Sequence, residues 1–177
     1  MKFLKRLSVI VLILVAAFLV VAAFLPKVTT VTREIEISKS PSAIYGIVAD
    51  FHTWDSWSHW AKMDPTQKVT ITGEAGKVGS VMSWNGNKTG SGTQTLTVSE
   101  GGKSLVYMMH FTKPMDGYSK TWLNFEASKN GTKVIWKLSS DNKYPIERWT
   151  GLMMGSMIGS AFDNSLGNLK KLAESQK

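Results

Sequence analysis

The chain has 177 residues, 43% of them hydrophobic, which is enough for one membrane segment and one domain with a sizeable core. It has no cysteine, which excludes a disulfide framework, a thiol nucleophile and a cysteine-ligated metal. The formal charge is +8, or about +5 without Lys2, Lys5 and Arg6. Because the positive charges are spread along the chain, they favour a surface near anionic headgroups over a nucleic-acid site.

The N-terminus has the composition of a membrane-spanning helix. From Leu7 to Leu25 only Ser8 is polar, and about 20 apolar residues in a helix cross a bilayer core of about 30 Å. Three basic residues precede this segment, so the positive-inside rule keeps the N-terminus in the cytoplasm. We therefore predict a single-pass protein, with a cytoplasmic tail and anchor over residues 1–27 and an extracytoplasmic domain over residues 28–177.

A cleaved signal peptide is the alternative for the same segment. Val21 and Ala23 are small enough to precede a cleavage site. The apolar region of a signal peptide usually runs for only about 7 to 15 residues, however, and this one is longer. The length therefore favours an anchor that is retained.

The first part of the domain has the residue pattern of a strand, followed by that of a short helix. Val28 to Ser38 places apolar and polar residues in turn, which predicts a half-buried strand. Ser40 fits an N-cap and Pro41 fits the first helical position, so a short helix is predicted to begin there. It is predicted to end near Asp50. Next comes an aromatic block with Trp54, Trp57 and Trp60 spaced three apart, either a plug at one end of the core or part of a pocket.

Six further runs read as strands separated by glycine-containing turns. Gln94, Leu96 and Val98 share one side of the third of them, and Tyr107 and Met109 share one side of the fourth. Short connections predict antiparallel pairing, and a twisted sheet with one apolar face needs a helix to cover it. The predicted strands are Lys68–Thr72, Val81–Trp84, Gly92–Ser99, Ser104–Thr112, Ser119–Ala127 and Thr132–Ser139.

A long helix is predicted from Pro145 to Glu174. Its apolar residues recur every three or four positions and form one stripe. The stripe comprises Met154, Ile158, Phe162, Leu166, Leu169 and Ala173. Three glycines beside the stripe indicate either tight packing against a sheet or room for a ligand, and the methionines around them would adapt to an irregular ligand. The glycines are Gly151, Gly155 and Gly159, and the methionines are Met153, Met154 and Met157.

The order of these pieces resembles the SRPBCC superfamily of START-like helix-grip proteins, and within it the bacterial polyketide cyclase/dehydrase-like proteins with an N-terminal membrane segment. The resemblance spans nearly the whole chain after the anchor and rests on the order of its motifs. These are Arg33 to Ile37 before Ser40-Pro41, Trp54 to Ser58 with Asp64-Pro65, Gly90 to Gly92, Gly131 to Trp136, and Leu166 to Leu172.

This resemblance implies an α+β helix-grip fold: a curved antiparallel sheet wrapped around a long C-terminal helix, with two short helices after strand 1, beside the N-terminal transmembrane helix. It also implies an elongated hydrophobic cavity between sheet and helix and binding of lipids or other apolar molecules. Members of the superfamily range from carriers to cyclases, so the family does not fix a reaction. The candidate ligand contacts are Trp54, Trp57, Trp60, Gln94, Tyr107, Met109, Trp136, Met154, Gly155 and Ile158.

The leading hypothesis is a membrane-anchored domain that binds a hydrophobic or lipid-like small molecule, with no catalytic residues, metal or cofactor. His52, His59 and His110 lack the spacing of a zinc site. A cyclase/dehydrase-type enzyme in the same cavity is the alternative and would need an acid/base pair, for which the inward polar candidates are Gln94, Tyr107, Asp55 and Arg148. A third hypothesis is a structural or partner-binding domain without a cavity.

Overall fold

A computed structural model describes residues 2–176. Its helices and strands follow the predicted order, and each predicted strand begins and ends within two residues of the observed one. The helices are α1 (Lys2–Phe24), α2 (Pro41–Ala49), α3 (Trp54–Trp57), α4 (His59–Met63) and α5 (Ile146–Ser175), with a 3-10 turn at Phe51–Thr53. The strands are β1 (Val28–Ile37), β2 (Lys68–Thr72), β3 (Val81–Gly86), β4 (Gly90–Glu100), β5 (Ser104–Lys113), β6 (Gly117–Ser128) and β7 (Gly131–Asp141).

The seven strands form one antiparallel sheet in the order β1-β7-β6-β5-β4-β3-β2. Strands β2 to β7 are joined in sequence order by short turns, and β1 pairs with β7. The concave face of this sheet carries the core, and α5 packs along β1 across it. The fold is therefore the expected helix-grip, with short helices between β1 and β2 closing one end of the core.

The apolar stripe of α5 is confirmed in its second half. Phe162, Leu166, Leu169 and Ala173 are buried in the core, and Ile158 is half-buried. Met154 is 40% exposed, so its predicted place in the core stripe is wrong. The reason is that glycines face the sheet in this half: Gly151 and Gly155 lie against Thr29 of β1, and Met154 lies to one side of them.

One predicted strand face is also corrected. Gln94 and Leu96 are buried as expected, but Val98 is 37% exposed. The pairing of β4 with β5 shifts register between Leu96 and Val98, and such an irregularity turns the following side chain to the other face.

The short helices are fixed by capping and by a buried carboxylate. Ser40 caps α2 by accepting a hydrogen bond from the Ala43 amide, as predicted. Asp64 follows α4 and accepts hydrogen bonds from the Lys88 amide at 2.7 Å and the Thr66 hydroxyl at 2.7 Å. These bonds lower the pKa of Asp64 from 3.8 to about 2 and join α4 to the β3–β4 turn.

Asp64→Asn is expected to destabilise the domain at neutral pH, because an amide offers one acceptor oxygen where the carboxylate offers two. A lowered native pKa means that the carboxylate stabilises the fold above about pH 4, and this contribution is lost as the pH falls toward 2. Thermal melts of both proteins at several pH values check this. The difference in melting temperature should be largest above pH 4 and shrink toward pH 2. A constant difference across that range would contradict the assignment.

Candidate ligand-binding site

An aromatic cluster fills the centre of the space between the sheet and the second half of α5. Trp136 of β7 stacks on Phe162 of α5 with ring centroids 4.0 Å apart. Trp57 lies 4.8 Å from Trp54 and 5.7 Å from Trp136, and both Trp54 and Trp57 are buried. Half-buried Trp60 contacts Trp136 and Phe162 from the rim, each at 6.0 Å. In this structure Trp54 and Trp57 are therefore packed into the core, and Trp60 lies at its edge.

Tyr107 is a fully buried member of this core. Its hydroxyl donates to the Val48 carbonyl oxygen at 2.9 Å, and the indole N–H of Trp54 donates to the same oxygen at 2.9 Å. Burial raises the pKa of Tyr107 far above its ordinary value, so the phenol stays neutral. Asp55, the other candidate for proton transfer, is exposed on α3. The structure does not bring these two groups together as an acid/base pair.

The remaining predicted contacts surround this cluster. Met109 and Ile158 are half-buried and pack against the core, and Gln94 is buried between cross-strand neighbours Met82 and Met109. Exposed Met154 and half-buried Gly155 lie further along α5. The structure thus groups eight of the ten predicted residues on the concave side and leaves these two at its margin.

Two buried donors among these residues lack a hydrogen-bond partner within residues 2–176. They are the indole Nε1 of Trp57, whose side chain is 0% exposed, and the amide Nε2 of Gln94, which is 2% exposed. An unpaired buried donor costs about 1–3 kcal/mol, and native proteins seldom leave one without an acceptor. A water or a ligand beside either donor would supply the acceptor that the protein does not.

The helix glycines do not all leave the room that a ligand would need. A β-carbon at Gly159 would overlap the guanidinium of Arg33, which reaches across the helix to Asp163 at 3.0 Å. A β-carbon at Gly151 would lie 2.7 Å from the Asn142 amide nitrogen. At Gly155 the nearest atom would be 4.0 Å away. Tight packing therefore explains Gly151 and Gly159, and only Gly155 borders open space.

Two cavities stand out in the described part of the chain, and neither lies between the sheet and the centre of α5. The larger, about 840 Å³, is open to solvent beside α2. The sequence does not predict it, because the loop that contains Gly76 and Gly79 has only the pattern of a turn. Its lining includes Tyr45, Asp50, Lys77, Val78 and Ser99. The smaller, about 260 Å³, lies between the start of β1 and the first half of α5 and is lined in part by Arg148, Leu152 and Gly155.

His52 and His110 lie at the surface, each beside an aspartate, and His59 is half-buried beside Trp60. His52 pairs with Asp50 at 2.8 Å, and His110 pairs with Asp116 at 2.8 Å while stacking on Tyr118. Over residues 2–176 no three histidine, aspartate or glutamate side chains come together as metal ligands. These pairs explain His52 and His110 as surface interactions.

The end of α1 packs side by side with the start of α5. Arg148 donates from Nη1 to the carbonyl oxygens of Ala22 and Ala23, both at 3.1 Å, and so caps the last turn of α1. Trp149 stacks on Phe18 at 5.3 Å between ring centroids. Arg148, an inward candidate in the sequence, thus points to α1 instead. Its positive charge complements the helix C-terminus, where unpaired carbonyls carry partial negative charge.

Comparison with solved structures supports the fold. Protein CV1439 of Chromobacterium violaceum is 15% identical, with a TM-score of 0.59 over 84% of this chain and 99% of that one. The di-domain ARO/CYC protein StfQ of the steffimycin biosynthetic pathway is 8% identical, with a TM-score of 0.65 over 84% of this chain and 51% of that one. The Aha1 dimer of Colwellia psychrerythraea is 19% identical, with a TM-score of 0.57 over 84% and 98%.

The sequence itself also matches a family of known proteins. No curated protein sequence matches the chain. The model of the family described as polyketide cyclase / dehydrase and lipid transport matches residues 28–174. This match covers β1 to β7 and nearly all of α5, and it agrees with the likeness to structures of the helix-grip fold. The chain therefore belongs to the polyketide cyclase/dehydrase and lipid transport family.

Proposed function

We propose that the chain is a membrane-tethered domain that binds an apolar or lipid-like small molecule on the concave face of the sheet, between the sheet and α5. The family to which it belongs is described by polyketide cyclase, dehydrase and lipid transport activities, all of which handle hydrophobic molecules. In this proposal the domain holds its ligand without transforming it, because Tyr107 is bonded to Val48 and Asp55 is exposed.

The observation that carries the proposal is the unpaired amide of Gln94. It is buried between Met82 and Met109, and these side chains are half-buried, as is Trp60 at the rim. A molecule with an apolar body and one acceptor oxygen would complement this wall and its donor. Methionine side chains have three rotatable bonds, so rotation at the rim opens space without separating the sheet from α5.

The tether is α1, whose length and composition suit a bilayer span. We propose that it stays attached with its N-terminus in the cytoplasm and the domain outside. Two observations support retention rather than cleavage. Only three residues separate α1 from β1, and Arg148, Trp149 and Tyr144 all bond or stack with the last turns of α1.

Gln94→Met tests the ligand site, with Thr93→Val on the opposite face of β4 as its matched control. The change removes the unpaired amide but keeps the size of the side chain, so stability should be unchanged or slightly higher. Affinity for a ligand that accepts a hydrogen bond from this amide should fall about 2- to 10-fold, the worth of one hydrogen bond. Thr93→Val should leave affinity unchanged.

The measurement uses the full chain in lipid nanodiscs, titrated with a dansyl-labelled fatty acid and read by energy transfer from tryptophan. Empty nanodiscs report partitioning of the probe into lipid. Saturable binding that an unlabelled fatty acid displaces, and that Gln94→Met weakens, is the expected result. A signal that never saturates, or equal affinity of Gln94→Met and the unaltered chain, would count against the site.

A further inference from the structure

The outward face of α5 changes character along its length. At about 100° per residue, Ile146, Trp149, Met153 and Met157 fall within an arc of about 80° on the side opposite the core stripe. Ile146 is 60% exposed, Met153 76% and Met157 69%. The same face continues through Ser160, Asn164 and Lys171, which are polar and exposed. One face of one helix is therefore apolar for about three turns and polar afterwards.

The apolar stretch of this face lies beside α1. Trp149 stacks on Phe18, its indole N–H donates to the Phe18 carbonyl oxygen at 3.3 Å, and Tyr144 donates to the Leu19 carbonyl oxygen at 3.0 Å. Phe18 lies six residues before the end of α1, which is about 9 Å along the helix axis. If α1 spans the bilayer, Trp149 lies level with the last two turns of α1, near the membrane interface.

We propose that the first three turns of α5 are a second membrane-binding element, embedded in the bilayer interface beside α1. The partner is the phospholipid bilayer itself, and the inference rests on the proposed tether. Met153, Met157 and Ile146 insert among the lipids, while Tyr144 and Trp149 occupy the interfacial level that these two residue types favour. Burial in lipid explains why this face of α5 is apolar, since exposing the same side chains to water would be unfavourable.

Three further observations fit a bilayer rather than a protein partner. The apolar face is continuous with the lipid-facing surface of α1, because Phe18 and Trp149 form one stacked pair. Lys27 and Lys143 lie at the ends of the two helices, where their charges meet anionic headgroups. The face becomes polar between Met157 and Ser160, as expected where a tilted helix leaves the interface. Gly155 and Ile158 lie on the opposite side of these turns, toward the domain.

The chain has no cysteine, so single cysteines report on single positions in the full protein. Met153→Cys and Met157→Cys carry an environment-sensitive NBD label, and the protein is reconstituted in phosphatidylcholine–phosphatidylglycerol vesicles. Asn164→Cys is the matched control, since it lies on the same face two turns beyond Met157. Leu14→Cys in the middle of α1 reports whether the tether is inserted. Each labelled protein is quenched separately by nitroxide-labelled lipid and by aqueous iodide.

The expected result is that labels at positions 153 and 157 emit at shorter wavelength than at 164, lose fluorescence with nitroxide lipid and are protected from iodide. The label at 14 should respond to lipid in the same way, and the label at 164 should respond to iodide. Iodide quenching at 153 and 157 with lipid quenching retained at 14 would overturn the inference and leave the tether intact. Protection from iodide without lipid quenching would mean that a protein surface covers the face, which also overturns it. Failure of lipid quenching at 14 would overturn the tether and this inference together.

Discussion

Phe162→Ala is expected to lower the free energy of unfolding by about 3–5 kcal/mol, the usual cost of removing a buried aromatic ring. The Phe162 side chain is 1% exposed, stacks on Trp136 at 4.0 Å and meets Trp60 at 6.0 Å. Its loss would remove the contact that holds α5 on the sheet and leave a cavity beside Trp136. Urea unfolding of the full chain in detergent, followed by tryptophan fluorescence and circular dichroism, gives the free energy.

Met157→Ala on the same helix is the control for this change. Met157 is 69% exposed and lies outside the core, so its loss should alter stability by no more than about 0.5 kcal/mol. A small effect of Phe162→Ala, comparable with that of Met157→Ala, would show that α5 is not fixed to the sheet through this ring. The aromatic cluster would then not be the centre of the fold.

Gly131→Ala is expected to destabilise the domain strongly, through the turn between β6 and β7. Gly131 has a φ of +146°, a conformation that costs a residue with a side chain about 1–3 kcal/mol. An added β-carbon would also overlap the carbonyl oxygen of Ile37 at the end of β1. Because β1 pairs with β7 over ten residue pairs, displacement of this corner would weaken the sheet edge against which α5 packs.

Gly101→Ala provides the comparison for this second change. Gly101 lies in the turn between β4 and β5, has no atom within 4 Å of an added β-carbon, and does not have the positive φ of Gly131. Thermal unfolding should show a large decrease in melting temperature for Gly131→Ala and almost none for Gly101→Ala. Equal decreases would contradict the geometry assigned to the β6–β7 turn.

The fold was largely predictable because its signals are local. Alternating side chains between glycine-containing turns located all seven strands, and Ser40 with Pro41 located the start of α2. Val98 was placed on the wrong face because a shift in pairing is decided by the neighbouring strand β5, which no local pattern in β4 reveals. The exposure of Met154 depends on which side of the first half of α5 meets β1, which is likewise a tertiary property.

The site was predictable in part for the same reason. Alternation along β4 turned Gln94 inward, but only the packed structure shows that its amide has no partner among the described residues. The glycines of α5 could not be assigned to packing or to a ligand until Arg33 and Asn142 were seen to fill two of the three positions. Met153 and Met157 fall opposite the core stripe in the sequence, and the structure leaves both exposed.

The contact of Arg148 with α1 joins the two parts of the proposed function. Arg148 satisfies carbonyl groups at the end of α1 that a bilayer interior would leave without partners. Its signal in the sequence was weak, because Arg148 lies more than a hundred residues from Ala22 and only the folded chain brings them together. In the proposed function, this contact holds the domain against its tether.

Native mass spectrometry of the full chain, released from membranes in a mild detergent, tests the tether and the ligand site together. We expect the mass of all 177 residues, with α1 retained, and one bound apolar molecule that Gln94→Met retains less well. A mass that lacks the first two dozen residues, with no bound molecule on the unaltered protein, would contradict this expectation.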